Sequence, residues 1–156
     1  MHCKRMIALL LSMLLTLPLG LTPAGAEETP PADYMSRLCT SPDGSIALYF
    51  GLEDGTPRYA VTRAGETVIL PSALGIVADV GDFSTGVVSA KSSSARKITD
   101  SYTVAVAKES VYSYTGYEVQ VRLTAASGKT GIVVFRCFDN GVAYRYDLGA
   151  AQVSGE

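Results

Sequence analysis

The sequence predicts an all-β protein, an antiparallel β-sandwich preceded by a signal peptide. Three observations predict it. Turn signals recur every eight to twelve residues, no window past the apolar N-terminus has helical periodicity, and the runs between turns alternate apolar and polar side chains.

The first element is not part of the fold. Lys4 and Arg5 give a short basic start, Met6 to Leu21 is apolar apart from Ser12, Thr16, Pro18 and Gly20, and Ala24-Gly25-Ala26 is a small-x-small cleavage site. Residues 1–26 therefore read as a signal peptide. The alternative, an uncleaved membrane anchor, is disfavoured by the interruptions at Pro18 and Gly20 and by the lack of a basic stop after the run. Export to a periplasm or the exterior is the expectation, with no membrane association after cleavage. A tether, 27–39, follows, and residues 40–156 form the β-sandwich domain.

Removing the leader also changes what chemistry is available. Lys4 and Arg5 leave with it, so 11 of the 13 basic side chains face 15 acidic ones, a net charge of −4. No basic stripe remains for nucleic acid. His2 is the only histidine and leaves too. Histidine-dependent triads and dyads, histidine-ligated zinc and imidazole acid–base catalysis are thereby excluded from the mature chain.

Within the domain, Pro42-Asp43-Gly44 turns the chain into Ile46, Leu48, Phe50 and Leu52 on one face, alternating with Ala47, Tyr49 and Gly51. Asp54-Gly55 turns it back through Arg58 to Thr62, and Ala64-Gly65 turns it again through Thr67 to Leu70. These runs form a β-meander, ended by Pro71, which lacks the donor a central ladder needs. Leu74 to Val77 and Phe83 to Val88 are short strands around Val80-Gly81-Asp82. Ser89 to Lys97 is a polar loop, and Thr99 to Ala107 is a strand. Tyr117, Val119, Val121 and Leu123 point inward from the cleanest alternation in the chain, with Glu118, Gln120 and Arg122 facing solvent.

Thr130 to Phe138 then leads into a hairpin at Asn140-Gly141, the strongest two-residue signal for a type I′ turn. That turn pairs Asp139 with Val142, Cys137 with Tyr144, Phe135 with Tyr146 and Val133 with Leu148. It also sets Arg136 directly across from Arg145, and opposed like charges destabilise a sheet unless an acid covers them. The preferred reading is a structural charge pair, neutralised by Glu118 or Asp147. The functional alternative is a grip on an interface carboxylate.

Other candidate groups are weaker. Cys39 and Cys137 remain after leader removal and are a possible disulfide tying the start of the domain to its last hairpin; the alternative is two unpaired thiols. Paired carboxylates are what a histidine-free glycosidase needs, but Glu53-Asp54 and Asp139 sit in turns and Glu118 on a strand's outer face. Asp79 with Asp82, and Glu109, are further candidates of the same weak kind. No loop has calcium-ligand spacing. Tyr112, Tyr114 and Tyr117 lie close together and could stack on sugar rings, although packing is the commoner use of such tyrosines.

The order Ser41-Pro42-Asp43-Gly44, Tyr59-Ala60-Val61, Pro71 to Gly75, Thr99 to Tyr102, Tyr117-Glu118, and Phe135-Arg136 through Tyr144-Arg145-Tyr146 resembles the N-terminal domain of glycoside hydrolase family 97, over roughly Thr40 to Leu148. The resemblance implies the first part of a galactose-mutarotase-like supersandwich. In full-length members it packs on a catalytic (β/α)8 barrel that hydrolyses α-glucosides or α-galactosides with calcium. The implied partners are that barrel, in cis or as a separate chain, and an α-linked oligosaccharide. The catalytic carboxylates and calcium ligands of the family lie outside the matched positions, so no catalytic or metal residue carries over. The pattern departs from the family at Asp100-Ser101, at Ala107-Lys108-Glu109 and at Thr115-Gly116-Tyr117-Glu118. The chain stops at Glu156 with no closing strand, which reads as an incomplete sandwich, non-catalytic alone. A stand-alone periplasmic carbohydrate-binding or interaction module is the alternative.

Overall fold

A computed structural model describes residues 29–103 and 111–149. The expected signal peptide, Glu109 and the end of the strand expected at Thr99 to Ala107 lie outside the described residues. Among those described there is no helix, and every strand pairing is antiparallel.

The first sheet is a meander of β1 (Met35–Thr40), β2 (Ile46–Glu53), β3 (Thr56–Arg63) and β4 (Glu66–Ala73), in that order. Asp54-Gly55 and Ala64-Gly65 are its two-residue loops, with positive φ at all four positions (49°, 77°, 50° and 83°). That is the backbone a type I′ turn requires, and its twist matches the flanking strands. β2 is buried on both faces. Ile46, Leu48 and Phe50 enter the main core, while Ala47 and Tyr49 join Met35 and Ala60 in a smaller cluster behind it.

Two expectations for this region change. The segment read as a tether holds Ala32 and Tyr34 against that smaller cluster and becomes strand β1 at Met35. Its alternation is short and half-polar, so its apolar anchors are inconspicuous in sequence. Pro71 does not end the third strand of the meander, because β4 runs on to Ala73. β4 is the sheet's edge, where a missing donor costs no ladder bond, and the ladder shifts register opposite it, between Tyr59 and Val61.

After a small ribbon of β5 (Val77–Ala78) and β6 (Gly81–Asp82), the second sheet is built on β9 (Val111–Ala125). β10 (Thr130–Phe138) lines one edge of β9 and β11 (Gly141–Asp147) follows it outward. The other edge of β9 is shared by β7 (Val87–Ser92) and β8 (Arg96–Thr103). These two behave as one strand with a break. Ser93 spans it, its N–H donating to the Gln120 carbonyl at 2.8 Å and its hydroxyl accepting from the Gln120 N–H at 3.0 Å. The polar loop expected at Ser89 to Lys97 is therefore mostly strand. Its serines and lysines sit on a half-exposed edge, where pairing with β9 rather than apolar burial fixes the conformation.

The hairpin register also differs from expectation. The loop is Asp139-Asn140, with Phe138 paired to Gly141, Cys137 to Val142, Phe135 to Tyr144 and Val133 to Tyr146. None of Asp139, Asn140 and Gly141 has positive φ, so the turn is not type I′. Each pair slides, but the faces do not exchange, because the shift is an even number of residues. Val133, Phe135 and Cys137 still point inward and are fully buried.

The two sheets meet in one core. Ile46, Leu48, Phe50 and Val61 of the first face Val119, Val121, Leu123, Val133 and Phe135 of the second. Phe50 and Phe135 join them edge-on with ring centroids 6.1 Å apart.

Candidate functional site

The outer face of β8, β9 and β10 carries the most chemistry among the described residues. Three directly opposed residues form a row across these strands, Arg96, Glu118 and Arg136. Arg96 Nη2 lies 2.7 Å from Glu118 Oε1, and Arg136 Nη2 and Nε each lie 2.8 Å from Oε2. Glu118 is only 5 % exposed, although it occupies the outward position of an alternating strand. The two guanidinium groups cover it. The hydrogen bond from Arg96 and then that from Arg136 hold its carboxyl below the usual glutamate range, against the opposing effect of burial.

The expected charge pair separates. Arg136 faces Ala143 and Arg145 faces Val134, so the two arginines are diagonal rather than opposed. Arg136 belongs to the Glu118 row. Arg145 lies on the edge strand 3.8 Å from Asp147, with both side chains half exposed.

One step along the same face the surface becomes aromatic. Tyr102 and Tyr112 are opposed across β8 and β9 and stack at 5.4 Å. Tyr114 meets Phe138 edge-on at 5.4 Å, and its hydroxyl donates to Asp100 Oδ2 at 3.2 Å. Burial, then the Asp100 carboxylate, raise the Tyr114 hydroxyl above its ordinary value. Gly116 makes this arrangement possible: a Cβ there would lie 2.5 Å from Phe138 Cδ1 and 2.7 Å from the Cys137 carbonyl oxygen. With Ser113 and Asn140 these rings line an open cleft of about 440 Å³. Of the tyrosines singled out in the sequence, Tyr112 and Tyr114 line the cleft. Tyr117 instead packs against the core. Tyr102 and Phe138 join the cleft through strand pairing, which spacing along the chain does not reveal.

Several of the described carboxylates are tied into local structure. Glu53 pairs with Arg58. Asp82 accepts from the Ser84 N–H and hydroxyl, which lower its carboxyl. Asp43 accepts from the Ser41 and Ser45 hydroxyls and the Ser45 N–H, Ser41 first, and its carboxyl is lowered to about 2. Asp139 accepts from the Asp43 N–H at 2.9 Å, fastening the last hairpin to the β1–β2 turn. Among the described residues no three His, Cys, Asp or Glu side chains converge.

Cys39 and Cys137 are both buried in the main core, on different sheets, and both are free thiols in this structure.

The described residues form an all-β domain whose outer sheet face carries an Arg96–Glu118–Arg136 row and an aromatic cleft. The glycosyl-hydrolase 97 N-terminal family matches residues 39–156, and the chain belongs to that family. It is 32 % identical over 153 residues to a probable retaining alpha-galactosidase of Streptomyces bingchenggensis, a match covering 96 % of this chain and 24 % of that protein. Among solved structures it is similar to a glycoside hydrolase family 97 enzyme from a Pseudoalteromonas species in complex with acarbose, with 26 % identity and a TM-score of 0.60 over 74 % of this chain and 18 % of that one. A beta-arabinopyranosidase matches with 28 % identity and a TM-score of 0.64, over 78 % of this chain and 19 % of that one. The chain thus spans about a quarter of the curated relative and under a fifth of the solved enzymes.

Proposed function

We propose that this chain is the exported N-terminal β-domain of a family 97 glycosidase, acting on α-glucosides or α-galactosides through a catalytic (β/α)8 barrel outside these 156 residues. The domain is the first part of a galactose-mutarotase-like supersandwich. Its work is to support the barrel, in cis or as a separate chain, and it has no catalytic residue of its own. The observation that carries this reading is the alignment of nearly the whole chain with a quarter of a longer glycosidase. The engagement of Glu53, Glu118, Asp43, Asp82 and Asp139 in turns and ion pairs is in keeping with it. Calcium belongs, on this reading, to the barrel-bearing enzyme. Export rests on the apolar leader and small-x-small site of residues 1–26.

The test is an assay of the 156-residue chain with nitrophenyl α-glucoside and α-galactoside, with and without calcium. No turnover is expected, and clear turnover overturns the non-catalytic reading. In-frame coding sequence for a barrel downstream of Glu156 is the expected genomic finding.

The aromatic cleft favours a second reading, a carbohydrate-binding module. Tyrosine faces suit the apolar side of a sugar ring, and Asn140 offers an amide at the rim. Titration with maltose, melibiose and longer oligosaccharides separates the two. Micromolar binding that Tyr102→Ala abolishes favours the module, and no binding leaves the supporting domain.

A further inference from the structure

Cys39 lies on the edge strand β1 of the first sheet and Cys137 on β10, inside the second. They are 7 % and 0 % exposed and belong to one core. Two contacts fix their neighbourhood. The Ile46 carbonyl accepts from the Ser41 N–H at 2.8 Å, closing the turn after β1, and from the Cys137 thiol at 3.8 Å. Two residues past Cys137, Asp139 accepts from the Asp43 N–H at 2.9 Å. The end of β10 is thereby held against the end of β1, and the two cysteines share one core cluster, close enough for each thiol to perturb the other.

We propose that Cys39 and Cys137 are a cross-linking site: in an oxidising compartment they form a disulfide that staples the two sheets together. Each thiol loses a proton and the pair gives up two electrons as the S–S bond forms. A disulfide-bearing oxidant, either a thiol oxidase or oxidised glutathione, takes them and is reduced to two thiols, passing through a mixed disulfide with one of the cysteines. Interaction with Cys137 lowers the Cys39 thiol, while interaction with Cys39 and burial raise that of Cys137.

Burial sets the order of events. Neither sulfur is open to a protein oxidant once the sheets have closed, so the bond forms while they are still coming together. It closes the loop from residue 39 to residue 137, nearly the whole described domain, and long loops gain most from such a link in the chain-entropy account. Once formed, the bond is shielded from reductants by the same core.

The test uses the full chain exported to a bacterial periplasm, alkylated with iodoacetamide in denaturant and digested without reduction. A peptide pair joined through Cys39 and Cys137 is expected. Carbamidomethyl groups on both cysteines, or a link involving Cys3, overturn the proposal. A second measurement compares thermal unfolding with and without prior reduction in mild denaturant. Reduction is expected to lower Tm by roughly 10 °C or more, to the value of the Cys39→Ser/Cys137→Ser double variant. An unchanged Tm on reduction overturns the staple even where the bond is found.

Discussion

Glu118 and Arg136 face each other across the β9–β10 ladder, with the carboxylate accepting from Nη2 and Nε at 2.8 Å each. Arg96 completes the row from the opposite side. A single buried acid thus neutralises two arginines on the strands either side of it, and removing its charge leaves those two like charges without their shared counter-ion. Glu118→Gln is expected to cost about 1.5–3 kcal/mol in urea unfolding, the range for hydrogen bonds to charged groups.

The same row predicts a pH dependence. The folded-state carboxyl of Glu118 is depressed, so its contribution is complete above the ordinary glutamate value of 4.5 and is lost as pH falls from there through the lowered value. Thermal unfolding of the native chain between pH 6 and 3 should lose stability along that limb. Glu118→Gln should flatten it. Parallel curves for the two proteins would assign the acid sensitivity to other groups.

Gly116 lies under the Phe138 ring and beside a backbone carbonyl. Gly116→Ala forces the carbonyl as well as the ring to move, so destabilisation of about 1–3 kcal/mol is expected in urea unfolding. Removing the ring with Phe138→Ala should relieve only part of it, because the Cys137 carbonyl remains. Complete rescue by the double variant would contradict this.

The edge strand β4 exposes Val68 at 58 % and Leu70 at 73 %. Unprotected apolar edges recruit further strands. The isolated chain should associate with rising concentration, and Leu70→Lys should reduce that association without lowering Tm. Light scattering against concentration distinguishes the two proteins. Equal scattering would place the sticky surface elsewhere.

Much of the fold was legible in the sequence where turn chemistry and alternation act together. Asp54-Gly55 specifies its loop because the required backbone is left-handed, Ala64-Gly65 does so through its glycine alone, and the alternation from Tyr117 to Leu123 assigns the inner face of β9 correctly. The last hairpin shows the limit. Asn140-Gly141 reads as the loop, yet Asp139-Asn140 forms it, with Asp139 bonded to the distant Asp43 N–H. A tertiary contact outweighed a local preference. The outward place of Glu118 was readable, but its burial was not, since that depends on arginines 22 and 18 residues away in sequence. The cleft was half visible, through Tyr112 and Tyr114. Tyr102 and Phe138 reach it only through pairing.

The first sheet draws all four of its strands from one contiguous stretch, residues 35–73, and its pairings are between neighbours. The strands that cover its inner face, β9 and β10, begin at residue 111. A chain emerging amino-terminus first from a ribosome or a translocation pore presents Ile46, Leu48 and Phe50 long before Val119 or Phe135 exists outside. During that interval the meander is a ready client for a holdase. Its rescue comes from residues made well after it.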